Sequence, residues 1–443
     1  GISGDELSKT LVKKWLFQCV SLLYNSVALP FGADGVLVLV GKQGIGKTAK
    51  PERLSPKTAK ALYGKNIFSS VSRLERFAGC PFSFFAEYGL KAEERRLYQL
   101  NTPDLGSLFH EVLELFSNKL EQDNLPWTSL TKEETTARIH AAVEDAAPRL
   151  GNRILLDSAA NQYLIRRLKR ISTRAAWTLV QHLQQGDFVP AGYEVGFGAH
   201  EALPPIVIRL QDGGSLILNG KIDRVDLLDA NGTRYVKIID YKSGNKTFHF
   251  QDIYYGLQLQ LLVYLDAYLK YYKKTGASFK PGGVFYFRIT DPTLALDEEL
   301  SAEAIEKILY EKMRMSGLLL QEDVLIHGLD HSLAESRSSA IVPVGYTKKG
   351  DPTAASNLAT EEQYAAILDF VATRTQELGD AMKAGIITPA PYRDGQRTPC
   401  SYCSYRSLCR HSYAEAPKWR KLKKIDKADF WETITPKQPP ETE

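Results

Sequence analysis

The sequence predicts an α/β protein, a mixed sheet flanked by helices and interrupted by large helical insertions. Three observations point there. Residues 104–122 place Leu105, Leu108, Phe109, Val112, Leu113 and Phe116 on one face at helical spacing. From about residue 193 the apolar period changes to two, and YEVGFG, PIVIRL, SLILNGKIDRVDLL and TRYVKIIDYK read as successive strands separated by turn signals. A long apolar helix over 254–272 then leads into one more strand, GVFYFRI at 283–289.

The other elements follow in chain order. Residues 11–29 read as a helix, and GVLVLV (35–40) as a buried parallel strand. Residues 54–101 are helical and rich in aromatics, and 131–186 are helical again. The stretch 300–385 mixes helix and loop, and KWRKLKK (418–424) opens a basic tail. The reading divides the chain into a segment over 1–49, a linker over 50–70, a main domain over 71–415 and the tail over 416–443.

Composition sets limits. Of 443 residues, 44% are apolar and 24% charged, which is globular rather than disordered. A net charge of +4 excludes a histone-like polycation but not a local basic channel. No apolar run reaches the length of a membrane span, and Gly1 to Leu11 carries no secretory pattern, so a cytoplasmic protein is expected. Five cysteines are too few for a disulfide scaffold, and three of them crowd together at Cys400, Cys403 and Cys409.

The chemistry concentrates on two strands. Asp240 and Lys242 of DYKSG share one strand face, while Tyr241 points away. Asn231-Gly232 is a strong two-residue hairpin signal. With those two residues as the loop, Asp223 of GKIDRVD falls opposite Asp240 on the same face, and a one-residue slip would separate them. Two carboxylates that close repel each other unless a cation lies between them, and Mg²⁺ or Mn²⁺ suits such a pair. Lys242 is placed to orient a hydroxide or to stabilise the charge that builds on a phosphate.

These motifs resemble PD-(D/E)XK nucleases of the RecB type, with a restriction-endonuclease-like core. LGSLFHEVLE (105–114) is similar to their Gly-x-x-x-His-x-x-Leu-Glu helix, and QLLVY (260–264) to their Gln-x-x-x-Tyr helix. The resemblance implies His110 as a third metal ligand beside Asp223 and Asp240, with Lys242, Gln260 and Tyr264 at the active site. Physically, Gly106 lets the backbone approach closely one turn before His110, and Gln260 and Tyr264 share a helix face.

Cys400-x₂-Cys403-x₅-Cys409 supplies three thiolates. Cys80 is the natural fourth and Cys19 the only other. Spacing alone leaves zinc and a [4Fe–4S] cluster open. One early cysteine and a late triplet bracketing such motifs resemble AddB-type iron–sulfur nuclease domains, over roughly residues 51–415. That resemblance implies a [4Fe–4S] staple, single-stranded DNA as substrate, exonuclease action in double-strand-break repair and an AddA-like helicase–nuclease partner. The shorter Cas4-type nucleases share the cysteine layout, but the helical insertions favour the AddB type. Arg73, Arg76, Lys418, Trp419, Arg420 and Lys421 are candidates to line the DNA path.

GKQGIGKT (41–48) fits a phosphate-binding loop with Gly41, Gly44, Gly46, Lys47 and Thr48, and its surroundings resemble the P-loop of virulence-associated protein E helicases. Pro51 and Pro56 interrupt the helix that should follow, and no second acidic strand appears. The segment reads as a truncated P-loop domain, and useful ATP binding is not expected.

Overall fold

The computed structural model describes residues 52–92, 102–149, 159–294, 299–409, 411 and 419–435. The phosphate-loop residues Gly41, Gly44, Gly46, Lys47 and Thr48, the helix and strand expected before them, Cys19 and Lys418 lie outside these residues. Two compact units emerge, each discontinuous in sequence. Among the described residues the smaller draws on 52–64, 76–92, 381–409, 411 and 419–422, and the larger on 65–75, 102–149, 159–294, 299–380 and 423–435.

In the smaller unit, helix α1 (Pro56–Tyr63) starts because the Ser55 side chain accepts the Thr58 amide and Pro56 fits the first helical turn. Strand β1 (Asn66–Ser69) follows in the larger unit. Both lie within the stretch read as a linker. Helix α2 (Val71–Gly79) carries the boundary between the units within its length.

The larger unit then builds a helical layer. Helix α3 (Thr102–Gln122) buries Leu108, Phe109, Val112, Leu113 and Phe116 of the expected stripe, with Leu105 half-buried. Each such Leu or Phe contributes about 1.5–3 kcal/mol on burial. Helix α4 (Lys132–Ala146) opens with a reciprocal cap between Thr131 and Glu134. It packs with α3 and with helix α5 (Ala159–Gln184).

Six strands form the central sheet. β2 (Val189–Phe197) pairs antiparallel with β5 (Gly220–Ala230), and β5 pairs antiparallel with β6 (Thr233–Lys242). β6 runs parallel to β7 (Phe279–Arg288), which is antiparallel to β8 (Ser316–Leu320), and β8 is parallel to the short β9 (Leu358–Ala359). The sheet is therefore mixed, as expected. Tyr235 to Tyr241 on β6 are all buried, so both of its faces are covered. Asn231 and Gly232, at φ 51° and 75°, form the expected tight turn.

Three expectations need correction. The run SLILNGKIDRVDLL is two strands in two sheets. Its first part, β4 (Ser215–Leu218), lies between β1 and β3 (Ile206–Arg209), and only β5 enters the central sheet. Asn219 marks the exit, where its amide donates to the Ser69 carbonyl at 3.1 Å. The helix expected over 254–272 is also divided. Helix α6 (Phe250–Tyr254) stops before Gly256, whose φ of 73° cannot continue a right-handed helix, and α7 (Gln260–Lys274) starts afresh. α7 packs on β6 and β7. Third, the stretch 300–385 is more than helix and loop. Between α8 (Ala302–Lys312) and α9 (Glu361–Lys383) it supplies β8, a fully interior strand. Among the described residues no helix is long and apolar enough to cross a membrane.

Candidate active site

The β5–β6 register decides the site. Ala230 pairs with Thr233 and the ladder continues to Arg224 opposite Ile239, so the next rung brings Asp223 opposite Asp240. Both carboxylates are buried, at 8% and 3% exposure. The Tyr241 amide donates to Asp223 Oδ2 at 2.6 Å. The Lys242 ammonium lies 2.5 Å from Asp240 Oδ2, a close ion pair. Burial, and then the neighbouring Asp223 charge, push the Asp240 carboxyl up to about 6.

Helix α3 delivers His110 to the same place. Its Nδ1 lies 3.4 Å from Asp223 Oδ2. Burial works to lower the imidazole's affinity for a proton, but the Asp223 hydrogen bond and the charges of Asp223 and Asp240 outweigh it and raise it. Gly106 makes the approach possible. A Cβ there would sit 3.0 Å from the Ser243 hydroxyl just beyond β6.

Helix α7 supplies Gln260 and Tyr264. Lys242 Nζ is 3.5 Å from Gln260 Oε1, and Tyr264 lies one turn on along the same helix. Tyr264 stands over Gly220, where a Cβ would come within 2.1 Å of its hydroxyl. Burial raises the cost of charging Lys242, yet Asp240 and Asp223 more than compensate and hold its proton affinity above the ordinary lysine value. His110, Asp223, Asp240, Lys242, Gln260 and Tyr264 are thus gathered as the sequence predicts.

Two carboxylates escaped the sequence reading. Glu75 on α2 accepts the amides of Leu259 and Gln260 at 2.8 and 3.0 Å, capping α7, and pairs with Lys246 at 3.1 Å. Glu194 on β2 lies opposite Asp223, since Tyr193 pairs with Arg224 and Val195 with Ile222. The ligand atoms of His110, Glu194 and Asp223 all lie within 4.8 Å of one another. Burial, then the charges of Asp223 and Glu114, push the Glu194 carboxyl up to about 7. Nothing but its place in YEVGFG marked this residue, and its φ of 47° has no sequence signature. A cleft of about 730 Å³ opens beside His110 and Glu194.

The other half of GKIDRVD faces away. Arg224 grips Asp226 with two hydrogen bonds of 2.6 and 2.9 Å, and Lys237 Nζ lies 2.9 Å from the same carboxylate. All three are buried. Trp127 stacks 4.9 Å from the Arg224 guanidinium.

In the smaller unit, Cys80, Cys400, Cys403 and Cys409 line one small cavity, across more than 300 residues of sequence. Cys80 and Cys409 are buried. Burial pushes the Cys80 thiol up to about 11. Of the residues expected along DNA, Arg76 pairs with Glu87, and Arg420 donates to the carbonyls of Ala78, Gly79 and Ala390. Trp419 packs edge-on to His411 and beneath Arg393. Lys421 pairs with Arg393 in a short parallel ladder, and Arg73, in the larger unit, is exposed.

Facing carboxylates on a hairpin, a histidine from a flanking helix and a lysine two residues beyond form a donor set of the kind that suits a divalent cation. The chain belongs to the PD-(D/E)XK nuclease superfamily, which it matches over residues 69–410. It is 42% identical over 379 residues to the B subunit of the ATP-dependent helicase/deoxyribonuclease of Alkaliphilus oremlandii, covering 85% of this chain and 33% of that protein. The protein of the same description from Alkaliphilus metalliredigens is 45% identical over 353 residues, 79% of this chain and 30% of its own length. That of Thermoanaerobacter sp. (strain X514) is 38% identical over 376 residues, 85% and 33%. The chain therefore spans about a third of the length of these relatives.

Proposed function

We propose that this chain is the nuclease part of an AddAB-type helicase–nuclease. It hydrolyses phosphodiesters of single-stranded DNA exonucleolytically, in recombinational repair of double-strand breaks, together with an AddA-like partner. The observation that carries the reading is the facing pair Asp223–Asp240 with Lys242 at its edge. Its similarity to the B subunits of helicase/deoxyribonucleases supports the DNA substrate and the partner.

Asp223, Asp240 and His110 would hold Mg²⁺ or Mn²⁺. The donor set is of the right kind: Asp223 and Asp240 face each other across the hairpin, and His110 Nδ1 lies 3.4 Å from Asp223 Oδ2. Such an ion polarises the phosphate and acidifies its bound water. Lys242, held between Asp240 and Gln260, presents its cation where negative charge grows on the phosphate. Gln260 and Tyr264 orient that lysine and border the strand.

The four cysteines would hold a [4Fe–4S] cluster. All four line one cavity. One early cysteine and a late triplet, in the layout of AddB-type iron–sulfur nuclease domains, support the cluster over a single zinc. The test is cleavage of end-labelled single-stranded DNA by anaerobically purified protein. Cleavage that requires Mg²⁺ or Mn²⁺ is expected; undiminished cleavage in excess chelator would overturn the reading.

A further inference from the structure

We propose that Glu75 is a positioning residue for the reaction: it seats the first turn of α7 so that the Gln260 side chain meets Lys242. This rests on the nuclease reading and adds to it a residue from outside the expected motifs.

Helix α7 has no cap of its own. Leu259 stands at its N-cap position, a side chain without an acceptor, and its first turn holds no acidic residue. The leading amides of a helix have no partner inside it and need an acceptor from elsewhere. Here it comes from 184 residues back in the chain: Glu75 Oε1 accepts the Leu259 amide at 2.8 Å and the Gln260 amide at 3.0 Å. A negative charge suits the positive end of the helix, and hydrogen bonds to a carboxylate are stronger than neutral ones. The other oxygen, Oε2, accepts from Lys246 Nζ at 3.1 Å, so both sides of the carboxylate are held. The Glu75 side chain is only 12% exposed, which leaves water little room to take its place.

Gln260 carries this constraint to the chemistry. Its backbone amide rests on Glu75, and its side-chain oxygen lies 3.5 Å from Lys242 Nζ. Lys242 in turn lies 2.5 Å from Asp240. Glu75, Gln260, Lys242 and Asp240 thus form one line of contacts drawn from α2, α7 and β6. The contact between Gln260 and Lys242 is at the outer limit of a hydrogen bond, so a small shift of the first turn of α7 takes the lysine out of reach. Without Glu75 the two amides lose their acceptor, and that first turn is the part freed to move. The body of the helix stays packed on β6 and β7. The effect of Glu75 on the reaction therefore runs through the Gln260 side chain.

The experiment measures kcat and KM on end-labelled single-stranded DNA with Mg²⁺ saturating, for the full chain and its variants, each at a temperature where melts show it folded. Glu75→Ala should lower kcat by about tenfold to a hundredfold and leave KM within about threefold. Glu75→Gln, whose side-chain oxygen can still accept both amides, should recover most of that loss. Gln260→Ala removes the side chain but keeps the amide that Glu75 holds. Glu75→Ala added to Gln260→Ala should therefore slow cleavage little further, because the two residues act as a unit. Glu75→Asp, which withdraws the carboxylate by one methylene, carries the same comparison if Glu75→Ala does not fold. Wild-type kcat in the Glu75 variants would overturn the proposal. So would an equal fold loss with and without the Gln260 side chain, the mark of a residue that only supports the fold. In both cases Mg²⁺-dependent cleavage by the wild type would leave the nuclease reading standing. A wild type that cleaves no DNA with Mg²⁺ or Mn²⁺ would overturn both.

Discussion

The Tyr241 amide and the Asp223 carboxylate meet at 2.6 Å, so the strand that carries Asp240 also fixes the carboxylate opposite it. Asp223 cannot turn away without giving up that hydrogen bond. The site is therefore set by backbone pairing, and changes to its side chains should alter chemistry more than folding.

Lys242→Ala is the sharpest case. Its loss should lower DNA cleavage by at least a hundredfold with Mg²⁺ saturating, while the melting temperature moves by only a few degrees. Cleavage near the wild-type rate would remove Lys242 from the mechanism.

Proton linkage gives an independent handle on Asp240. Its carboxyl, ordinarily at 3.8, is pushed up to about 6 in the fold. A raised value means the folded state binds the proton more tightly. Without divalent cations its contribution is fully present below about pH 4 and is lost as pH rises through about 6. Chelator-treated wild type should therefore lose on the order of 2–3 kcal/mol relative to Asp240→Asn across that window. Added Mn²⁺ should restore the difference; parallel pH profiles for the two proteins would count against the buried pair.

The buried triad on the other face predicts the opposite balance. Asp226→Ala leaves Arg224 and Lys237 without their common counter-ion, at a cost of about 3–5 kcal/mol. Urea unfolding would measure it. Metal binding, in whatever fraction remains folded, should persist.

Gly220→Ala sets a Cβ 2.1 Å from the Tyr264 hydroxyl. The ring must move, costing about 1–3 kcal/mol and slowing cleavage. Pairing it with Tyr264→Ala should remove the added penalty, a non-additivity that a double-mutant cycle reads directly.

Cys80→Ser and Cys403→Ser should each bleach a broad absorbance near about 400 nm, release roughly four irons and lower the melting temperature. Colourless wild-type protein holding one zinc would exclude the cluster and keep the thiolate site.

Much of this site was legible because local signals agreed. Asn231-Gly232 fixed the register, and the register fixed the Asp223–Asp240 pairing. Other features were not local. Asn219-Gly220 is the same dipeptide as the later turn, but only pairing with β1 and β3 before it and with β2 and β6 after it shows that it divides strands of two sheets. SGLLL is too short to declare itself a strand before β7 accepts it. Glu194 reads as any exposed acid until β2 aligns with β5.

The cysteines also set a timetable. Cys80 and Cys409 are 329 positions apart, and the larger unit's sheet is encoded between them. At about 5–20 residues per second, the ribosome needs roughly 16–66 s to deliver the last thiol after the first. A group held by all four sulfurs could be installed only after the strands of the central sheet have emerged. With such a group, closing the smaller unit would follow the making of the sheet, and a shortage of it would leave chains with strands already made and the closing step still pending.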